Sequence, residues 1–207
     1  MLRIAVAGLL VALVAGLASV GSAATTTRLT IPGAGASIAV PLSWKSLDRR
    51  TVTNSAAFRR FLDDNPSLRP FVAQMTGANS AIKLMAFDLG ASRGFATNVN
   101  VVLTAPSPGL TPAQIAAIYG RELKKQLTTL RGPVATSVVT LPSGKAVRAS
   151  YKVDFVNAGE RLTVQTFQYL VLRPTKSLVV TFSTLPAEAR KRNGTFTAVA
   201  RSLRFTS

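Results

Sequence analysis

Residues 161–205 read RLTVQTFQYLVLRPTKSLVVTFSTLPAEARKRNGTFTAVARSLRF and contain the most strongly patterned half-domain of the chain. Two runs rich in β-branched and aromatic residues flank a short turn at residues 173–176, which is typical of a β-hairpin. A helical pattern follows the second run, with proline at its start, Pro186. The apolar stripe of this helix consists of Phe196, Val199 and Leu203. The segment therefore predicts a hairpin followed by a helix.

The other apolar runs predict a chain with many strands and few helices. Alternating or continuous apolar residues predict strands at residues 29–32, 37–40, 81–89, 98–104, 134–141 and 147–155. In one of these strands Asn98 and Asn100 alternate with valines, so we expect that face to be exposed to solvent. Short turns between consecutive strands favour an antiparallel sheet.

Two further regions have helical spacing. Residues 54–77 form two helical pieces that are interrupted before Pro66, because a residue that precedes proline avoids the helical conformation. The clearest helix begins at Thr111, where Thr-Pro-Ala-Gln is a capping box with proline at the first helical position. Its apolar stripe is predicted to comprise Ile115, Tyr119, Leu123, Leu127 and Leu130, and Gly132-Pro133 is predicted to end it. The expected fold class is α+β, with helices on the faces of an antiparallel sheet.

The N-terminus predicts export. Arg3 precedes an unbroken run of apolar and small residues, and small residues follow at Ala23 and Ala24. This pattern is typical of a secretory signal peptide, so we expect residues 1–24 to be cleaved near those alanines and residues 25–207 to form one domain. An uncleaved membrane anchor is the alternative. No later run is long enough to span a bilayer, so the mature chain is expected outside the cytoplasmic membrane, free or associated with the cell wall.

Charge is the strongest feature of the composition. The 207 residues include 25 Lys and Arg but only 8 Asp and Glu, a net charge of +17. A field of this sign attracts anionic lipid surfaces, wall polymers or acidic proteins. Basic pairs and runs at Arg49-Arg50 and Arg190-Lys191-Arg192 are the candidate contacts for an anionic partner, although a charge run usually only faces water. Nucleic acid is not expected as a partner, because aromatic residues do not alternate with the basic ones.

Several chemistries are excluded by residue type. The chain has no histidine and no cysteine, which removes the usual nucleophilic triads, the usual zinc and haem ligands and disulfides. Ser80 and Lys83 match the S-x-x-K motif of penicillin-binding enzymes, but they open a predicted strand rather than a helix, and i and i+3 then face opposite sides. Asp63 and Asp64 are adjacent on a predicted helix and point apart. We therefore expect no cofactor, no metal and no enzymatic activity.

The order of motifs along the mature chain resembles a known group of proteins. Ile38-Ala-Val-Pro41 with Trp44, residues 83–88 (KLMAFD), residues 98–101 (NVNV) and the closing hairpin and helix resemble exported actinobacterial proteins of the PsbP-like fold, the LpqN-like group. The resemblance implies a curved antiparallel sheet flanked by helices, an α/β/α sandwich, and a binding or accessory role without catalysis. The chain lacks the lipid-attachment cysteine of LpqN, so membrane tethering is not implied.

Together these features predict a secreted, non-catalytic binding domain of the cell envelope. Its partner is expected to be an anionic envelope component or another protein. A carrier of a small apolar ligand, held between sheet and helices, is the alternative function.

Overall fold

The structure is a computed structural model and describes residues 25–47, 81–88, 95–157 and 160–206. The predicted signal peptide and the helical pieces predicted at 54–77 lie outside the described residues. Ten strands and two helices are described. They are β1 (Thr26–Ile31), β2 (Ala36–Pro41), β3 (Trp44–Leu47), β4 (Ile82–Asp88), β5 (Thr97–Thr104), α1 (Pro112–Gln126), β6 (Leu130–Leu141), β7 (Gly144–Asn157), β8 (Glu160–Val171), β9 (Ser177–Thr184), α2 (Pro186–Arg201) and β10 (Arg204–Phe205).

The main element is a seven-stranded antiparallel sheet in the order β3-β4-β5-β9-β8-β7-β6. The predicted hairpin is confirmed as β8 and β9, which pair from Gln165 opposite Thr184 to Val171 opposite Leu178. This hairpin lies in the interior of the sheet, between β5 and β7. Strand β9 is buried at every position, as expected of a strand covered on both faces.

A second sheet has three strands in the order β1-β2-β10 and combines the first two described strands with the last one. The predicted N-terminal hairpin is confirmed as β1 and β2, which pair antiparallel. The two-residue strand β10 follows α2 and joins β2 through Arg204 opposite Ser37. Neither β10 nor β3, which contains Trp44, was predicted, because strands of two and four residues carry no measurable alternation.

Helices cover the two faces of the main sheet. Helix α1 begins with the predicted capping box, in which Thr111 and Gln114 exchange hydrogen bonds. Its residues Ile115, Tyr119 and Leu123 pack on one face of the sheet. Helix α2 and the three-stranded sheet pack on the opposite face, where Phe196 stacks on Phe182 with ring centroids 4.9 Å apart. We call these the α1 face and the α2 face. The predicted α+β architecture, with helices on both faces of an antiparallel sheet, is confirmed.

Two sequence expectations are wrong in detail. Helix α1 ends at Gln126 rather than near Gly132, because Leu127 adopts extended backbone angles and the chain then enters β6. The polar face of β5 is not exposed to solvent, because Asn98 and Asn100 are fully buried. These asparagines lie on the α1 face and are described below. Neither α1 nor α2 is long and apolar enough to cross a membrane.

Candidate functional site

The basic run of α2 is divided by the structure into two exposed residues and one half-buried residue. Arg190 and Lys191 are exposed. Arg192 is only 18% exposed at its side chain and donates from Nη1 to Asp88 Oδ2 over 2.6 Å. Its Nε also lies 3.7 Å from Glu188 Oε2, one helical turn earlier. Folding therefore explains Arg192, whereas Arg190 and Lys191 remain accessible. Arg49 and Arg50 lie outside the described residues.

A second buried acid is also paired with arginine. Asp154 accepts a hydrogen bond from Thr163 Oγ1 at 2.8 Å and from Arg131 Nε at 2.5 Å, and Arg161 Nε lies 3.6 Å away. The Thr163 hydrogen bond and the Arg131 guanidinium lower the pKa of Asp154 below its ordinary value of 3.8. Asp154 is consequently an ionised structural residue rather than a proton donor at neutral pH.

Among the side chains that the structure describes, the acidic ones are buried or half-buried, whereas many basic ones are exposed. Asp88 and Asp154 are each 7% exposed, and the side chains of Glu122 and Glu188 are half-buried. No acidic side chain that the structure describes is among the exposed residues. Exposed cations are found on both helices and along the strands, at positions such as Arg28, Lys45, Lys124, Lys125, Lys152, Arg190, Lys191 and Arg201.

Six uncharged polar side chains form a buried layer on the α1 face. We call them the polar layer: Asn98, Asn100, Thr166, Gln168, Thr181 and Ser183. The register places them in two adjacent rows across β5, β9 and β8. In one row Ser183 lies between Asn98 and Thr166; in the other, Thr181 lies between Asn100 and Gln168. Directly opposite side chains on paired strands are about 5 Å apart at Cβ, so the six form one contiguous patch.

Only part of the hydrogen-bonding capacity of this layer is used. Tyr119 of α1 donates to Gln168 Oε1 over 2.8 Å, and Gln168 Nε2 donates to Thr181 Oγ1 over 3.1 Å. Asn98 Nδ2 donates to the Ala96 carbonyl over 3.0 Å. Asn98 Oδ1, both polar atoms of Asn100 and the hydroxyl of Tyr151 are buried without a partner. An unpaired buried donor or acceptor costs about 1–3 kcal/mol, so the layer is a stability cost that folding alone does not explain.

The two tyrosines that border the layer remain neutral. Burial raises the pKa of Tyr119 above its ordinary value of 10.0. Burial, with a smaller contribution from Tyr119, raises the pKa of Tyr151 well above the same value. Each phenol can therefore donate or accept a hydrogen bond, but neither supplies a phenolate base or nucleophile near neutral pH.

An open pocket of about 400 Å³ lies at the end of the same face. We call it the proline pocket, because Pro106, Pro108, Pro112 and Pro174 form much of its wall. It lies between the loop that precedes α1 and the turn that joins β8 to β9. Ile115 and Leu172 add apolar surface, and Lys145, Arg173 and Ser177 add polar groups. One apolar row of the sheet, Val102, Val179, Leu170 and Val147, separates the proline pocket from the polar layer.

Neither the polar layer nor the proline pocket is predicted from the sequence. The alternation of Asn98 and Asn100 with valine indicates a polar face of β5, but it does not distinguish solvent from a buried polar layer. Ser177 and Lys145 are far apart in the chain and belong to no motif, so only the pairing of β7, β8 and β9 brings them together. Of the S-x-x-K pair, Lys83 lies half-buried within β4, and Ser80 is outside the described residues, as are Asp63 and Asp64. No group of three or more acidic residues that could hold a metal ion occurs in the described ranges.

Sequence comparisons identify no relatives: no protein-family model matches the chain, and no curated protein matches it significantly. Structural comparison does identify similar folds. The solution structure of cyanobacterial PsbP (CyanoP) from Synechocystis sp. PCC 6803 is similar with a TM-score of 0.54 at 14% identity, over 91% of this chain and 98% of that one.

The crystal structure of LpqN, a protein involved in cell envelope biogenesis of Mycobacterium tuberculosis, is similar with a TM-score of 0.50 at 14% identity. The match covers 90% of this chain and 93% of LpqN. At such identities the likeness concerns the fold alone. The chain has the PsbP-like fold.

Proposed function

We propose that this protein is an exported, non-catalytic accessory domain of the cell envelope that binds an anionic partner through its positively charged surface. The observation that carries the proposal is the distribution of charge. The described acidic side chains are buried or half-buried, and Asp88 and Asp154 are each paired with arginine, whereas Lys and Arg side chains remain exposed. A surface of this kind favours anionic lipids, wall polymers or acidic proteins over neutral ones.

The fold supports an envelope role for the chain only by analogy. LpqN, which shares the PsbP-like fold, is involved in cell envelope biogenesis. The apolar run at residues 4–20, followed by Ala23 and Ala24, supports export. The absence of histidine and cysteine, and the neutral state of Tyr119 and Tyr151, favour binding over catalysis.

A salt titration tests the electrostatic part of the proposal. Purified protein without its first 24 residues is mixed with isolated cell envelopes, and the bound fraction is measured by sedimentation. Between about 50 mM and 500 mM NaCl the Debye length falls from about 14 Å to about 4 Å, so binding should weaken at least tenfold. Binding that does not change with salt, or that is absent at low salt, refutes the proposal.

A pair of variants tests where the partner is bound. The double substitution R190A/K191A removes two exposed charges from α2 and leaves the buried Arg192 pair intact. The control K124A/K125A removes two exposed charges from the last turn of α1. If α2 is the contact, the first variant weakens envelope binding several-fold more than the second. Equal effects assign binding to the summed field instead.

The alternative function, a carrier of a small apolar ligand, is favoured by one observation. The proline pocket has apolar walls and a volume of about 400 Å³, within the usual range of ligand sites. Saturable binding of a short-chain alcohol in this pocket, with no binding of anions, would favour the carrier over the electrostatic function.

A further inference from the structure

The proline pocket combines an apolar wall with groups that favour negative charge. Lys145 and Arg173 both line it, and none of the acidic side chains that the structure describes does. Lys145 Nζ donates to Thr140 Oγ1 over 3.0 Å, which uses one of its three N–H groups. The Arg173 guanidinium lies 4.4 Å from the centre of the Phe205 ring, which holds it in place without using its N–H donors. Both cations therefore keep donors for a ligand.

Ser177 adds a buried hydroxyl to this pocket. It opens β9 opposite Thr104, is only 2% exposed, and its Oγ has no hydrogen-bond partner. A buried hydroxyl without a partner is unusual in folded proteins. Because Ser177 lines the pocket beside Arg173 and Lys145, a bound anion would give its O–H group an acceptor.

The N-terminus of α1 borders the same pocket. Pro112, the first residue of α1, and Ile115, one turn later, both line it. The first turn of α1 contains no acidic residue that would neutralise the positive end of the helix dipole. The capping box uses the backbone N–H groups of Thr111 and Gln114, and Pro112 has none, so α1 contributes only its dipole field to the pocket. The two cations and the buried hydroxyl are the groups that can contact an anion directly.

From these contacts we propose that the proline pocket binds the anionic head group, phosphate or carboxylate, of a ligand that also has an apolar part. Lys145, Arg173 and Ser177 Oγ hold the head group, and the four prolines, Ile115 and Leu172 contact the apolar part. The pocket is open to solvent, so a longer chain extends out of it. The inference rests on the proposed function, which supplies the anionic partner. It adds the binding site, the proline pocket, and the chemical class of the ligand.

Isothermal titration calorimetry with hexyl phosphate tests the inference on the purified chain without its first 24 residues. We expect saturable one-site binding, at least tenfold tighter than that of inorganic phosphate because the hexyl chain adds apolar burial. Binding should weaken by about tenfold or more in K145A/R173A and several-fold in S177A, because each removes a donor to the anion. The control K124A/K125A changes the net charge equally, at the far end of α1, and should stay within twofold.

Further arms identify the source of the head group. Loss of binding to phosphatidylglycerol vesicles in K145A/R173A, with retention in K124A/K125A, supports the pocket and assigns it to a lipid. Hexyl phosphate binding without vesicle binding also supports the pocket and assigns it to a soluble anion.

Three results overturn the inference: no heat of binding, equal losses in K145A/R173A and K124A/K125A, or NMR shifts on hexyl phosphate addition that lie away from Ser177 and Arg173. Its failure is separable from that of the proposed function. Salt-sensitive envelope binding with no hexyl phosphate binding rejects the pocket alone. Hexyl phosphate binding with salt-insensitive envelope binding rejects the electrostatic function alone.

Discussion

Replacing Asn100 by leucine should make the protein more stable, although the residue is fully buried. Both polar atoms of the Asn100 side chain lack a partner, so the substitution removes an amide that was desolvated without compensation. Each unpaired buried group costs about 1–3 kcal/mol. Leucine has the same branched shape as asparagine but is larger, so packing strain against Met85 and Thr181, the residues opposite, offsets about 1–3 kcal/mol of the gain. We expect the free energy of unfolding to rise by about 1–2 kcal/mol.

Urea unfolding of the chain without its first 24 residues measures this change. Fluorescence of Trp44, the one tryptophan, and far-UV circular dichroism should report the same transition if unfolding is two-state. For a domain of this size the midpoint of thermal unfolding should rise by about 2–8 °C. An unchanged m-value would show that the variant alters stability rather than the compactness of either state.

Asn98→Leu is the matched control. Asn98 is equally buried and lies on the same face, but its Nδ2 donates to the Ala96 carbonyl, and only its Oδ1 is unpaired. The substitution removes that hydrogen bond, so Asn98→Leu should be less favourable than Asn100→Leu by about 1 kcal/mol or more. A fall in stability of about 1 kcal/mol for Asn100→Leu would refute the reasoning, because it would mean that ordered water or another group satisfies this amide.

The remaining predictions concern the ion pairs and the packing of α1. Arg192→Ala should lower the free energy of unfolding by about 3 kcal/mol because it removes the arginine paired with buried Asp88. The control Arg190→Ala should change the free energy of unfolding by less than about 0.5 kcal/mol, and equal effects of the two variants in urea titrations would contradict the pairing. Asp154→Asn should reduce the loss of stability in acid. Because the pKa of Asp154 is lowered in the folded state, its ionised form contributes stability that is present above pH 3.8 and is lost as the pH falls through the folded-state pKa. The midpoint temperatures of thermal unfolding of the two proteins should therefore converge between pH 5 and pH 2. Gly120→Val should destabilise by about 1–3 kcal/mol, because a Cβ at Gly120 already meets Thr136 Cγ2 at 3.2 Å, and a midpoint unchanged in urea would show that β6 moves aside.

Periodicity predicted the elements that are long and locally determined. The hairpin β8–β9 and the start of α1 follow from residues that are close in sequence, such as the reciprocal hydrogen bonds of Thr111 and Gln114. The sequence pattern predicts an end of α1 that is too late, because Leu127 and Leu130 continue the helical spacing of apolar residues after the backbone has become extended. Spacing reports which side chains are apolar, and the backbone angles at a helix end depend on what the next segment packs against.

The sites were less predictable because they depend on partners that are distant in sequence. Arg192 looks like one member of an exposed charge run, and its partner Asp88 is 104 residues away. Asn98 and Asn100 show the alternation of a strand with one wet face, and alternation cannot distinguish solvent from a second buried layer. Ser177 gives no sequence signal, since its role follows from its burial beside Lys145 and Arg173.

The two faces of the main sheet differ in how many of their buried polar groups have hydrogen-bond partners. On the α2 face Thr97 and Thr184 lie 2.8 Å apart and bond to each other, Gln165 Nε2 contacts three acceptors, and Asp88 is paired with Arg192. Around these pairs the aromatic rings of Trp44, Phe167, Phe182 and Phe196 close the core.

The α1 face has more unpaired groups, because Asn98, Asn100, Tyr151 and Ser177 all carry buried polar atoms without partners. On the α2 face, Arg192 Nε is also buried without a hydrogen-bond partner. Buried polar groups in folded proteins are usually paired, and unpaired ones are expected at functional sites. The exposed cations Arg190 and Lys191 of α2 lie on its outer surface, away from this core. If the protein binds a ligand inside the fold, we expect the site on the α1 face, where unpaired polar groups lower the stability. Variants at Asn100 measure this loss of stability, and variants at Ser177 measure the contribution of such a group to ligand binding.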